Sequence, residues 1–315
     1  MKVLVTGGNG FVGKELLSLM LSQGIHTPVS GVRKKNKDEK TDNKINIIEL
    51  GNLEDALDRK ELLRGIDVII HTAARVHIMK EDANKSAIKY KKINVDATVN
   101  LALAAIEAGV KRFIFLSTIK VNGETTTERG FLADDVPKPE GSYAISKFQA
   151  EQRLFQLSRS SDMEVVCIRP PLVYGKQRKG NLYFLIKIIK FRIPLPLSAA
   201  KHNKRSFVSI NNLVDLLILC IDHPKAANQV FLVSDGNDIS TVSLIKLISN
   251  KLSIKTKIFY LSPLFIKIFC ILIGRQSFYT RLFDNLYVDI EKTSRILSWK
   301  PKEDIESGLD SIFNE

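Results

Sequence analysis

Cysteine is scarce in this chain. The 315 residues hold three, Cys167, Cys220 and Cys270, each inside an apolar run and none at a metal-ligand spacing. That excludes a disulfide framework and a cysteine-based metal site; buried thiols in a reducing cytoplasm are expected instead. Long hydrophobic runs are missing too. The one stretch that raises a membrane question, Leu261 to Ile273, falls short of the ~20 residues that span a bilayer and is interrupted by Lys267. It reads as a helix of a lobe, with peripheral membrane contact as the alternative. No internal repeat, low-complexity tract or domain-splitting linker stands out. The start Met1-Lys-Val-Leu runs directly into a glycine turn, which points away from a signal peptide. Acidic residues number 34 against 47 basic ones, for a net charge of +13. That excess reads as lysine distributed along the chain. It comes with no recognition motif and no basic cluster interleaved with aromatics, so nucleic acid is not an expected partner. An anionic small molecule would be attracted by the same charge.

What is present is an alternation. Hydrophobic residues make up 44% of the chain, enough for one large α/β core and a smaller lobe. Lys2-Val-Leu-Val5 reads as a buried parallel strand. It runs into Thr6-Gly-Gly-Asn-Gly-Phe-Val-Gly13, and then into the apolar pattern of a helix over Lys14 to Leu21. Strand, glycine turn and helix in that order point to dinucleotide binding. The glycines permit a tight turn and close approach to a pyrophosphate, and the helix N-terminus offers donors. Gly7, Asn9, Gly10, Phe11, Val12 and Gly13 are therefore candidate cofactor residues.

The end of the second strand, Pro28 to Arg33, lacks the acidic residue that would hold the ribose hydroxyls of NAD. Arg33, Lys34 and Lys35 stand there instead. A guanidinium suits a 2′-phosphate, so NADP(H) is favoured over NAD(H), with a solvated basic loop as the bland reading. Ile45 to Leu50 reads as the next strand, followed by Asn52 and Leu53, where Asn52 would accept a hydrogen bond from adenine. Asp67 to His71 is another strand and ends in Thr72-Ala-Ala74, small enough for backbone to lie along the cofactor. His71 reads as a structural residue rather than an acid–base group. A helix is expected over Asn94 to Ala105 with Val95, Val99, Leu101 and Ala102 inward, and a strand over Lys111 to Ser117. Alternating strands and helices imply a doubly wound parallel sheet with its crevice at the strands' carboxyl ends.

Ser117 and Thr118 fall at such an end. In Gly141-Ser-Tyr-Ala-Ile-Ser-Lys147, Tyr143 and Lys147 are four apart and share one helical face. A tyrosine with its ordinary pKa near 10 is a poor base at neutral pH, and a neighbouring ammonium favours its phenolate. Thr118, Tyr143 and Lys147 are the candidate catalytic group. The bland alternative for Tyr143 is an amphipathic tyrosine on a helix.

These residues, with Asn94-Val-Asp-Ala-Thr, Leu116 to Gly123, Ile168-Arg-Pro-Pro-Leu-Val-Tyr-Gly175, Arg205-Ser-Phe-Val and Leu297-Ser-Trp-Lys-Pro301, make the chain resemble the extended short-chain dehydrogenase/reductases of the sugar-nucleotide epimerase/dehydratase group nearly end to end. The resemblance implies a Rossmann-like domain over 1–170, to which segments near 205–235 return. It also implies a smaller α/β lobe over 171–315 that grips a nucleotide sugar. It places Asn94 and Pro170 beside the cofactor and prefers Thr118 to Ser117 as the triad hydroxyl. Ser117, Thr118, Lys120, Asn181, Arg205 and Arg281 are implied at a UDP-sugar substrate, with Arg205 on its diphosphate. Sugar-nucleotide dehydratases carry an Asp-Glu pair after the threonine; here Ile119 and Lys120 stand there, so dehydration is not expected. Ser117-Thr-Ile-Lys-Val-Asn-Gly-Glu124 is similar to UDP-N-acetylquinovosamine dehydrogenases of surface-polysaccharide synthesis. This implies NAD(P)H-dependent reduction of a UDP-4-keto-6-deoxy-N-acetylhexosamine. The alternatives are a UDP-hexose or UDP-N-acetylhexosamine 4-epimerase with tightly bound NAD, and a non-catalytic nucleotide-binding protein. A homodimer is also implied; no metal is.

Overall fold

The computed structural model describes residues 1–34, 44–55, 59–75, 83–176 and 180–313. Its centre is a seven-stranded sheet: β1 (Lys2–Thr6), β2 (Thr27–Val32), β3 (Asn46–Glu49), β4 (Val68–His71), β5 (Arg112–Leu116), β6 (Glu164–Arg169) and, after a two-strand excursion, β9 (Gln229–Leu232). The order is β3-β2-β1-β4-β5-β6-β9. All neighbours are parallel. The chain starts in mid-sheet, winds outward through β2 and β3, then returns to the other side of β1. The order reverses between β1 and β4, where Thr6 pairs with His71. A crevice opens there at the carboxyl ends of the strands.

Strand alternation splits the core. Val3 and Val5 face α1 (Phe11–Gln23) and α6 (Ile210–Leu219), against Leu16, Met20, Leu213 and Leu217. Leu4, Ile69, Phe113 and Phe115 face the opposite layer, where α3 (Ala97–Glu107) and α4 (Gly141–Arg159) supply Leu101, Ala105, Ala150 and Leu154. Both faces are covered, which is why the central strands read as unbroken apolar runs rather than alternating ones.

The helix expected over Asn94 to Ala105 begins differently. α2 (Ala83–Tyr90) passes into a π-helical segment, Lys91–Asp96, before α3 starts. The widened turn buries Asn94 and Val95, while Val99 is only half-buried. Insertions of this kind gather at functional sites.

The second half of the chain supplies β7 (Leu172–Tyr174) and β8 (Phe207–Ser209), paired in parallel. The lobe also holds α5 (Asn181–Lys190), α7 (Thr241–Lys251), α8 (Pro263–Leu272), α9 (Gln276–Phe283) and α11 (Ile305–Phe313), while α10 (Glu291–Leu297) returns to pack on β9. A separate core of Tyr174, Ile189, Phe207, Leu244, Ile245, Ile248 and Leu309 holds this lobe together. The lobe is fastened to the sheet by a buried polar knot. Tyr174 donates to Asp235 Oδ2 at 2.7 Å, and Asp235 Oδ1 accepts from Ser209 N–H (2.8 Å) and Asn212 Nδ2 (2.7 Å).

Candidate active site

β1 ends in Gly7, which takes φ +71°. A Cβ there would lie 2.9 Å from Ala73 N, and one on Gly13 would lie 2.2 Å from Gly7 O. Only glycine lets the turn lie against Ala73 and lets α1 close onto the turn. Gly10 precedes α1 in an extended conformation, and no side chain caps the helix. Phe11 and Val12 pack toward the core while Asn9 faces outward. The arrangement matches a pyrophosphate in size and sign: bare backbone, close approach and a helix N-terminus.

Beyond β2, Arg33 and Lys34 are exposed, and Lys35 lies outside the described residues. Asn52 is also exposed and Leu53 half-buried. The loop that carries them is held by Arg59, one of the most deeply buried side chains. Its guanidinium donates to Leu50 O (2.9 Å), Asp55 O (3.1 Å) and Asn52 O (2.5 Å). No sequence signal pointed to Arg59; an arginine in a polar turn looks like any other until its carbonyl partners are seen.

His71 occupies the switch point. Thr98 donates its hydroxyl proton to Asn94 O (2.8 Å), so it accepts from His71 Nε2–H (3.1 Å), leaving Nδ1 to accept from Thr6 Oγ1 (2.7 Å). Burial, with the nearby Lys147 charge, pushes the imidazole down to about 3. His71 is therefore a neutral strut linking β1, β4 and α3, in agreement with the structural reading. Thr72 donates to Thr6 O at 2.7 Å, and Ala73 and Ala74 follow it half-buried. Asn94 clamps the next residue from both sides. It accepts from Arg75 N–H at 2.8 Å and donates to Arg75 O at 3.2 Å and to Ser146 Oγ at 3.0 Å. Through Ser146 the π-helical segment is tied to α4.

At the end of β5, Ser117 donates its N–H to Ile168 O (2.7 Å), and Pro170 O accepts from Ile119 N–H (2.9 Å). Ser117 Oγ is buried without a hydrogen-bond partner among the described residues. Thr118 caps the short turn Ile119–Val121, accepting from Lys120 N–H at 3.4 Å. That turn packs along α4, which carries Tyr143 and Lys147. Tyr143 is half-buried and meets Tyr90 edge-on at 5.9 Å. Lys147 is 1% exposed, with its Nζ 3.9 Å from the centre of the Phe115 ring. Burial pushes its pKa down to about 7, opposed by the charge of Glu151. Glu151, one turn further on, is gripped by Arg169 through Nε (3.0 Å) and Nη2 (2.5 Å), while Arg169 Nη1 donates to Asn122 Oδ1 (3.0 Å). All three residues are buried.

The lobe adds cations. Arg205 donates to Asp284 O at 3.0 Å and Thr280 O at 3.4 Å. Its pKa falls to about 10, first through burial and then through the neighbouring Arg281 charge, with Asp284 and Glu124 opposing. Lys120 does not stand open toward a substrate: its ammonium is paired with both oxygens of Glu124 at 2.5 and 2.7 Å. Asn181 opens α5, and its side chain lies outside the described residues. A shallow hollow of about 450 Å³ lined by Lys91, Val95, Gln149, Gln152, Arg153 and Gln156 lies on the exposed flank of α4 and holds no group able to do this chemistry. Among the described residues no group of metal-ligating side chains occurs.

The structure thus places Thr118 at the head of a turn packed against α4, the helix that carries Tyr143 and Lys147, and puts Arg281 close enough to Arg205 for their charges to repel. Sequence reasoning missed Arg59, Glu124, Glu151 and Arg169. Of these, Glu151, four residues beyond Lys147, and Glu124, four beyond Lys120, left a spacing signal.

The model of the NAD dependent epimerase/dehydratase family matches residues 3–234. A UDP-glucose 4-epimerase of Vibrio cholerae is 42% identical over 309 residues, which cover 98% of this chain and 93% of that protein. A dTDP-4-dehydro-6-deoxyglucose reductase of Escherichia coli is 25% identical over 99% of this chain and 96% of its own length. Among solved structures, a UDP-glucose 4-epimerase of Thermotoga maritima with UDP-glucose superposes with a TM-score of 0.79 at 20% identity. The alignment covers 99% of this chain and 97% of that one, a likeness of fold.

Proposed function

The chain belongs to the NAD dependent epimerase/dehydratase family, and we propose that within it this protein is a 4-epimerase of a UDP-hexose or UDP-N-acetylhexosamine. The observation that carries the reading is the near-complete alignment with the Vibrio cholerae UDP-glucose 4-epimerase at 42% identity. The site supports it. The two positions directly after Thr118 hold a core isoleucine, Ile119, and Lys120, ion-paired with Glu124, and not the Asp-Glu pair that elimination of water would use.

In this reading Gly7 to Gly13 receive the pyrophosphate of the dinucleotide, and the loop fixed by Arg59 receives its adenine end. A bound nicotinamide supplies the hydride acceptor and donor for sugar C4. Tyr143 takes the proton of the C4 hydroxyl as the carbonyl forms and gives it back when the other face is reduced. The Thr118 hydroxyl holds the same oxygen. Lys147, fixed between the Phe115 ring and Glu151, lowers the cost of the Tyr143 phenolate and meets the ribose. Arg205 and Arg281 retain the UDP diphosphate while the keto-sugar turns, so the sugar changes face without leaving.

A second reading is favoured by one observation. Arg33 stands exposed just past β2, where a carboxylate would hold the ribose of a resident NAD and a guanidinium suits a 2′-phosphate. That fits one-way reduction of a 4-keto-6-deoxy sugar nucleotide by NADPH, and the Escherichia coli relative is named a dTDP-4-dehydro-6-deoxyglucose reductase. Incubation of the purified protein with UDP-glucose or UDP-N-acetylglucosamine and no added cofactor separates the two. The C4 epimer on chromatography supports the epimerase. No epimer, with stoichiometric NADPH oxidation on a UDP-4-keto-6-deoxy-N-acetylhexosamine, assigns the reductase.

A further inference from the structure

The positive charge of this protein is not spread evenly, contrary to the first reading of its lysines. Residues 165–214 and 239–283 contain no Asp or Glu, yet hold seventeen Lys and Arg between them; the rest of the chain carries 30 basic residues against 34 acidic ones. Both acid-free stretches belong mainly to the lobe.

The same stretches carry many of the exposed large apolar side chains among the described residues. Phe259, Tyr260, Leu261, Leu264, Phe265, Ile268, Phe269, Ile271, Leu272, Ile273 and Phe278 are all exposed, Leu272 at 79%. Cys270 is the sole buried residue of α8. Placed at 3.6 residues per turn, Leu264, Phe265, Ile268, Phe269, Ile271 and Leu272 share one arc of about 160°. Cys270 lies on the opposite side and Lys267 at the edge of the arc. A second strip lies alongside. Leu195 exchanges backbone hydrogen bonds with Lys257 and Phe259, 2.9 and 3.0 Å, so the segment before Leu195, with Phe191 and Ile193 both exposed, runs parallel to the segment that leads into Phe259. Lys187, Lys190, Arg192, Lys255, Lys257 and Arg275, all exposed, flank these segments in sequence.

Scattered exposed apolar residues are ordinary, but a continuous patch of this kind is not. Self-association would bring one acid-free face against its copy, because a two-fold interface pairs like with like. The lysines of both copies would then repel one another. A surface that is apolar inside and anionic outside satisfies both features: aromatic and aliphatic side chains enter the acyl boundary, and lysines snorkel to the headgroups.

We propose that α8, with the flanking segments 259–262 and 191–193, seats the protein on an anionic lipid surface. The helix lies in the interface plane rather than across the bilayer; no described helix is long and apolar enough to span one. The proposal does not depend on which reaction the site performs.

The test is co-sedimentation of the full chain with vesicles of phosphatidylcholine alone or mixed with phosphatidylglycerol, at low and high salt. Sedimentation velocity is run in parallel. The expected result is binding to the mixed vesicles at least tenfold above the neutral ones and weakened by salt. Phe265→Asp combined with Leu272→Asp should lose it while keeping circular dichroism and oligomeric state unchanged. Lys255→Glu with Lys257→Glu, which leaves the apolar arc intact, should weaken binding to the mixed vesicles alone. Absence of binding by the unaltered chain, or equal binding by the Phe265/Leu272 variant, overturns the proposal. So does a change in oligomeric state on those substitutions, because the face would then be covered by a second copy.

Discussion

Lys147 Nζ stands 3.9 Å above the Phe115 ring in a site that excludes water. The ring face offsets part of the lost hydration, and the Glu151 carboxylate adds charge compensation, but burial dominates and lowers the pKa to about 7.

This has a measurable consequence for stability. In the unfolded chain Lys147 titrates near 10.5, so the unfolded state binds the extra proton between about 7 and 10.5. The burial penalty is absent above that window, grows as pH falls through it, and is complete below about 7, with a ceiling of roughly 5 kcal/mol. Lys147→Met is expected to melt higher than the unaltered protein in the absence of ligands, by a margin that widens from pH 10 to pH 7. Equal margins at both pH values would show that Lys147 is not held this way.

Tyr143→Phe removes the proton carrier and keeps the ring against Tyr90. Turnover is expected to fall about 10²–10⁴-fold, with dinucleotide affinity, read by fluorescence titration, unchanged.

Arg205 and Arg281 should act on binding more than on chemistry. Arg205→Ala is expected to raise KM for the UDP-sugar tenfold or more with a smaller change in kcat. Lysine in its place should restore little, because the forked, bidentate geometry is lost. A variant whose kcat alone collapses would place Arg205 elsewhere in the account.

Gly13→Ala puts a methyl 2.2 Å from Gly7 O, whereas Gly10→Ala meets the same oxygen at 3.0 Å. The first must move backbone and is expected to destabilise by about 1–3 kcal/mol and to abolish dinucleotide binding. The second should be milder in both. Calorimetry and titration of the two variants side by side check the order.

Breaking the Glu151–Arg169 pair leaves a buried charge alone. Glu151→Gln is expected to cost about 3–5 kcal/mol, measured by denaturant unfolding. Replacing both partners with apolar residues of similar volume should recover most of that loss.

The sheet was legible because its strands are short apolar runs set between helical patterns. The glycine turn was legible because Gly7, Gly10 and Gly13 serve backbone geometry, which local sequence records. Tyr143 and Lys147 were legible through their four-residue spacing. What stayed hidden are contacts between distant segments. Arg169 reaches back to Glu151 and Asn122, and Arg59 to the carbonyls of Leu50 and Asn52. The π-helical widening around Asn94 also left no periodic trace, since its 3.6-residue pattern continues on either side. The exposure of α8 was hidden for a related reason: an apolar run alone does not say whether a neighbour covers it.

The most direct test of the central reading is to supply UDP-glucose and UDP-N-acetylglucosamine, each deuterated at C4, to the purified protein, with no added cofactor, and to locate the label in the product by mass spectrometry. Oxidation and reduction at one closed site predict a C4 epimer that keeps its deuterium. An epimer carrying protium at C4, or no epimer at all, would contradict the account.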